Sequence, residues 1–181
     1  MGVSPKTTEF LKECMADALL KAVREKPFNK ITVNEIADAA GVNRSTGFRN
    51  FSGKHEAVTF KLIRLWNRWA DEHEIKERRR FTLDNAEDFF AFNYSIRNLL
   101  SDIYREELQS CVYNAFYQVM MPQYGADPAE CYEARFYSYG LFGFLDEWIK
   151  RGFYETPEQI SALFRKMMSG RETVYSAPQK K

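Results

Sequence analysis

The chain has 181 residues, 45% of them apolar and 28% charged, with a net charge of +1. This size and balance suit a globular protein of one ordinary domain, or a small domain joined to a larger one. No apolar run approaches the ~18 residues of a membrane span, and the N-terminus MGVSPKTTEF lacks the apolar stretch of a signal peptide.

Cys14, Cys111 and Cys131 are an odd count without CxxC spacing, and they read as reduced core thiols of a cytoplasmic protein. Tyr, Phe and Trp make up 15% of the chain. So many rings call for a large core or a ring-lined cavity. Charge is unevenly spread: residues 1–80 hold 16 Lys/Arg against 11 Asp/Glu, a balance of +5, and residues 81–181 hold 10 against 14, a balance of −4. The front of the chain is the part suited to a polyanion.

Apolar spacings of three and four dominate throughout, so the expected class is all-α. Phe10, Met15, Leu19, Leu20 and Val23 mark a first helix that ends near Pro27. Thr32-Val33-Asn34-Glu35 has capping-box form and starts a second. Its inner face is Ile36, Ala37 and Ala40, and Gly41 ends it. A short third helix covers about 44–50. After the turn FSGK comes a long fourth helix with Val58, Leu62, Leu65, Trp66 and Trp69 inside, fading into the charged EIKERRR.

The second half holds four or five more helices. Asp84 and Asn85 form a plausible cap before Phe89, Phe92, Ile96, Leu99 and Leu100. Leu108 to Met120 is the next helix, stopped by Pro122 and Gly125. Asp127 caps another, with Pro128 in its first turn, and Gly152 ends it. TPEQ at 156–159 starts the last, which ends near Gly170. The organisation expected is a small N-terminal unit over 1–55, a larger helical unit over 56–170, and a frayed tail over 171–181.

Two short helices joined by a Gly-containing turn suggest a helix-turn-helix, whose second helix enters the DNA major groove. Ala37, Ala39 and Ala40 are small enough for close packing. Gly41 can take a left-handed backbone at low cost, and Val42 plugs the angle between the helices. No acid lies between Val42 and Gly53. The candidate DNA contacts are Thr32, Asn43, Arg44, Ser45, Thr46, Phe48, Arg49, Asn50 and Lys54. Arg reads guanine edges, Asn reads adenine, and Ser or Thr touches bases or phosphates. An ordinary surface helical hairpin is the alternative reading of these residues.

Thr32, Val33, Ile36, Ala37, Ala40, Gly41, Val42, Thr46, Phe51 and Lys54 stand in the register of a known pattern. Over roughly residues 10–65 the chain resembles the DNA-binding domain of the TetR family of bacterial transcriptional regulators. Three positions depart from that pattern. Phe48 stands where Tyr is usual, Gly47 where a bulky apolar residue is usual, and Asn43 where Ser is usual. The second half looks more loosely like the family's ligand-binding and dimerisation region. The resemblance implies a ligand-responsive repressor that binds a palindromic double-stranded operator as a homodimer. A DNA-binding coactivator or adaptor, whose helical region binds a protein, stays open beside it.

For an effector the expected pocket is apolar and ring-lined, from Trp66, Phe89, Phe92, Ile96, Tyr113, Phe116, Tyr117 and Met120, and it suits a small apolar or aromatic molecule. A packed core is the competing reading of that stripe. The stretch FYSYGLFGFL at 136–145 is apolar nearly all round, which asks for burial on two sides. A second copy of the chain is the simplest partner, through Tyr137, Gly140, Leu141, Phe144 and Trp148. His55 and His73 have no partners at metal-ligand spacing, and no nucleophile motif or Gly-rich phosphate loop is present. Neither catalysis, nor a metal, nor a cofactor is expected.

Overall fold

The computed structural model describes residues 5–43, 51–75, 81, 83–121 and 127–169. Among these are eight α-helices and one 3-10 turn, Phe28–Lys30, with no strand. The helices are α1 (Pro5–Ala22), α2 (Val33–Ala39), α3 (Lys54–Glu72), α4 (Ala86–Ser95), α5 (Arg97–Arg105), α6 (Gln109–Met120), α7 (Pro128–Lys150) and α8 (Pro157–Ser169). The segments 44–50 and 171–181, with the sequence expectations that fall on them, lie outside the described residues.

Several helix ends are closed by interactions local in sequence. Thr32 Oγ1 accepts from the Glu35 amide at 3.2 Å, and Glu35 Oε2 accepts from the Thr32 amide at 2.7 Å, so the capping box before α2 is complete. Asp127 Oδ1 accepts from the Ala129 amide at 2.8 Å. Thr156 and Gln159 exchange the same reciprocal pair at the start of α8. Asn85 stands at the N-cap of α4 but makes no capping bond there.

α2 ends at Gly41 with φ +66°; the Gly41 amide bonds Asp38 O at 3.1 Å, and the Val42 amide bonds Ala37 O at 2.9 Å. α7 ends the same way at Gly152. Glu74 and Glu107 take the left-handed position after α3 and α5, a conformation uncommon for residues with a side chain.

α3 is the shared element: it packs on α1 and on α6. Buried residues from Met15 through Phe164 therefore form one hydrophobic cluster. The α1–α3 contact is sealed by charge. Lys61, nearly buried, reaches Glu13 at 3.1 Å and Asp17 at 2.7 Å, and Arg68 meets Glu13 at 2.7 Å. Burial pushes the Glu13 carboxyl up, but Lys61, Arg64 and Arg68 together hold it below the usual carboxylate range.

Two expectations are corrected, and a third is resolved into faces. Phe10, counted with the apolar stripe of α1, is 66% exposed, because it lies off the face that carries Met15, Leu19 and Val23. Cys131 is exposed near the start of α7, and Cys14 is only half-buried, so Cys111 alone is a core thiol. The stretch 136–145, expected to turn one side to its own domain and the other to a second copy, is inward on one side only within the chain. Ala134, Ser138, Leu141, Leu145 and Trp148 recur every three or four residues and face inward, whereas Tyr132, Phe136, Tyr139, Gly140 and Gly143 face out.

Candidate functional site

The helix-turn-helix begins with α2, whose Ile36 and Ala37 are buried against the rest of the unit. The left-handed turn at Gly41 drops Val42 into the core, 7% exposed. Arg44, Ser45, Thr46, Phe48, Arg49 and Asn50 lie outside the described residues. Asn43, the last described position before them, is exposed. The chain re-enters at Phe51, whose ring meets Phe60 at 5.5 Å under the Lys12 ammonium. Ser52 then donates to Glu56 through both its amide and its hydroxyl, at 2.6 and 2.8 Å.

Lys54 and Thr32 both have partners inside the chain. The Lys54 ammonium donates to Phe28 O at 2.5 Å and Ile31 O at 2.7 Å, and lies 4.4 Å from the centre of the Phe28 ring. The first residue of α3 thus holds the loop that leads into α2. The Thr32 hydroxyl serves the capping box. The same loop is held from below by α5 and the turn after it: Arg24 pairs with Asp102 at 2.8 Å, and Glu106 Oε2 accepts from the Phe28 amide at 2.8 Å. His55 packs edge-on against Phe28.

In the helical region, α3, α4, α5, α6 and α7 surround a cavity of about 50 Å³. Trp66, Phe89, Phe92, Ile96, Phe116 and Met120, six of the eight residues expected at a pocket, line it. Its rings pack edge to face: Trp66 lies 5.2 Å from Phe92, and Phe89 lies 5.3 Å from Phe116. Sequence reasoning missed Leu62, Ile63, Leu100 and Leu141 in the wall, and above all Asn93, which is 1% exposed. A signal for Asn93 existed: it sits one helical turn after Phe89, on the face that the apolar spacing marks as inner.

Tyr113 and Tyr117 are not in this wall. They lie on the other side of α6, stacked on each other and, for Tyr113, on Tyr139 of α7 at 4.2 Å. Arg135 closes that surface cluster, 3.6 Å from the Tyr117 ring centre and donating to Tyr113 Oη at 2.6 Å. Helical geometry is the reason: Phe116 and Met120 follow Val112 at intervals of four, whereas Tyr113 and Tyr117 are each rotated by one residue from that row.

The surface expected to pair with a second copy is also redistributed. Leu141 and Trp148 are buried in the protomer's own core, and Phe144 is half-buried against Phe90 and Phe164. Trp148 packs on Phe153 at 4.9 Å and donates to Glu155 O at 3.1 Å. Leu141 and Trp148 are thus committed to the protomer's own core, while Phe144 keeps part of its ring exposed. Tyr137 and Gly140 remain exposed, beside Tyr132 and Phe136, which sequence reasoning had not singled out and which are 80% and 74% exposed. A Cβ on Gly140 or Gly143 would meet nothing within 4 Å.

A capped helix, a left-handed glycine turn and an acid-free basic segment, mounted on a helical body, define a helix-turn-helix DNA-binding protein. Residues 16–57 match the family described as bacterial regulatory proteins, tetR family, and residues 83–170 match a transcriptional regulator C-terminal region. The chain belongs to the TetR family of transcriptional regulators, which are non-enzymatic DNA-binding proteins. No curated protein matches it. Among the described residues no helix is long and apolar enough to cross a membrane, and no cluster of His, Cys, Asp or Glu could hold a metal ion.

Proposed function

We propose that this regulator is a ligand-responsive repressor that binds a palindromic operator as a homodimer. Residues 1–55 are its DNA-binding unit and 56–170 its regulatory and dimerisation unit. The observation that carries the reading is that the cavity and the helix-turn-helix share the same helices. α3 lines the cavity with Leu62, Ile63 and Trp66, and holds the loop before α2 with Lys54. α5 lines it with Leu100, while Asp102 and the adjoining Glu106 grip Arg24 and Phe28.

At about 50 Å³ the cavity is smaller than the ~150 Å³ space that takes benzene in an engineered core. An effector therefore has to push its walls apart, and any shift of α3 or α5 is felt by the DNA-binding unit. Ligand and operator then disfavour each other reciprocally. The dimer is supported by the outward face of α7, where Tyr132, Phe136, Tyr137 and Tyr139 stand exposed beside two glycines. Two copies on a two-fold axis read half-sites ~34–36 Å, or a multiple of that, apart.

The test is operator retardation by the full chain. Arg44→Ala should weaken binding and relax preference at one base position. A monomer at micromolar concentration, with or without DNA, would sink the dimeric mechanism. Capture of a protein partner with no response to any apolar ligand would favour the adaptor reading.

A further inference from the structure

We propose that Lys30 is the cation that grips an operator phosphate at the entry to α2, making the backbone contact expected of Lys54. This rests on DNA binding through residues 44–50 and adds the anchor beside them.

The two side chains expected to bracket the helix-turn-helix on phosphates are committed within the chain. The Lys54 ammonium donates to Phe28 O and Ile31 O. The Thr32 hydroxyl accepts from the Glu35 amide and donates to the Glu35 carboxylate at 2.9 Å. Other cations of the unit are engaged as well. Arg24 pairs with Asp102, and Lys26 pairs with Glu35. Lys12 lies over the rings of Phe51 and Phe60. Among the described side chains of the unit, Lys21 and Lys30 remain exposed without an ion pair or hydrogen bond.

Place separates these two. Lys21 is in the last turn of α1, one turn before Arg24, which reaches α5 and so faces the helical body. Lys30 closes the 3-10 turn, its amide bonded to Pro27 O at 2.9 Å, two residues before the N-cap of α2. In a helix-turn-helix the first helix crosses the DNA backbone while the second enters the groove. A side chain at the entry to α2 therefore stands beside phosphates.

The base of Lys30 is also held in place. Phe28 and Ile31 on either side are buried, Glu106 accepts from the Phe28 amide, and Lys54 binds the carbonyls of both. Lys54 thus builds the platform, and Asn29 and Lys30 are turned outward from it. Glu35, the acid in the first turn of α2, is compensated by Lys26 and by the amide and hydroxyl of Thr32. An ammonium on a flexible stem is a point charge that suits a phosphate and reads no base.

The experiment is fluorescence anisotropy of the full chain with a labelled random-sequence duplex of ~40 bp, and with the tightest-binding duplex recovered from that pool, from about 50 to 200 mM salt. In Lys30→Met the slope of log affinity against log salt should become shallower by about 0.9 for each protomer bound, the loss of one phosphate contact. The change should be the same on both duplexes, because no base is read. Lys30→Arg should keep the wild-type slope, and thermal melts of Lys30→Met should match wild type, since its ammonium has no partner to lose. Lys54→Met should lower affinity at the wild-type slope. Lys21→Met, which removes the same charge from the other end of α1, should leave the slope alone. A wild-type slope in Lys30→Met, or an equal loss in Lys21→Met, would overturn the assignment. Arg44→Ala, which should lose the preference for the recovered duplex, then shows whether DNA binding through 44–50 stands without it. A wild-type chain that binds neither duplex would remove both.

Discussion

Lys54→Met removes one ammonium and keeps most of the side chain's apolar stem, so it isolates what that charge does. In the folded chain the ammonium makes bonds of 2.5 and 2.7 Å to Phe28 O and Ile31 O, and it rests on the Phe28 ring. A hydrogen bond to a charged group contributes ~1.5–3 kcal/mol, and an exposed cation–π contact ~0.5–1 kcal/mol. These do not add fully. The site is only part-buried, so water can replace part of what is lost, and Phe28 O keeps a bond from the Ile31 amide at 3.2 Å. The net loss should be about 2 kcal/mol, which moves a urea midpoint down by roughly 1 M at a slope of ~2 kcal/mol per M. Operator affinity should fall with it, because the loop into α2 loosens. The salt dependence of binding should stay unchanged, since the charge is spent on protein carbonyls. The reasoning is refuted if stability is untouched while the slope of log affinity against log salt drops by about 0.9, the signature of one lost phosphate contact.

Other consequences are as direct. Lys26, the Thr32 amide and the Thr32 hydroxyl hold the Glu35 carboxyl down at about 2, below its ordinary 4.5. A carboxyl with a depressed folded value contributes stability above its unfolded value and loses it as pH falls through the folded one. Glu35→Gln should therefore be less stable than wild type at pH 7, and the gap should close between pH 4.5 and 2 in thermal melts; a pH-independent gap would contradict the charge's role. Trp148→Ala should cost ~3–5 kcal/mol in denaturant unfolding, because the ring is 1% exposed in the protomer's own core; a change in association state without that loss would return Trp148 to an interface. Phe136→Glu, on the outward face of α7, should yield monomers with wild-type helicity in sedimentation and circular dichroism, and persistence of a dimer would move the pairing surface elsewhere.

What the sequence determined by itself is what neighbours in the chain decide. The capping box at Thr32 and Glu35, the Asp127-Pro128 start of α7, the Thr156–Gln159 pair and the left-handed turns at Gly41 and Gly152 each involve atoms within a few residues of one another. Their geometry follows from residue type and spacing, and so the helix-turn-helix and most helix boundaries were legible. The tertiary structure alone decided which side of an apolar helix is inside. In α7 every face of 136–145 offers an apolar or small residue, so the pattern carries no phase. The neighbours α6 and α5, and the rings of Phe90 and Phe153, chose the row of Leu141, Leu145 and Trp148. In α6 the same indifference hid the separation of Phe116 from Tyr113 and Tyr117, since tyrosine and phenylalanine read alike until a cavity lies on one side and solvent on the other. The role of Lys54 was out of reach for a different reason: its partners Phe28 and Ile31 lie 26 and 23 residues away, and only packing of α1, α2 and α3 into one unit brings those carbonyls to the ammonium.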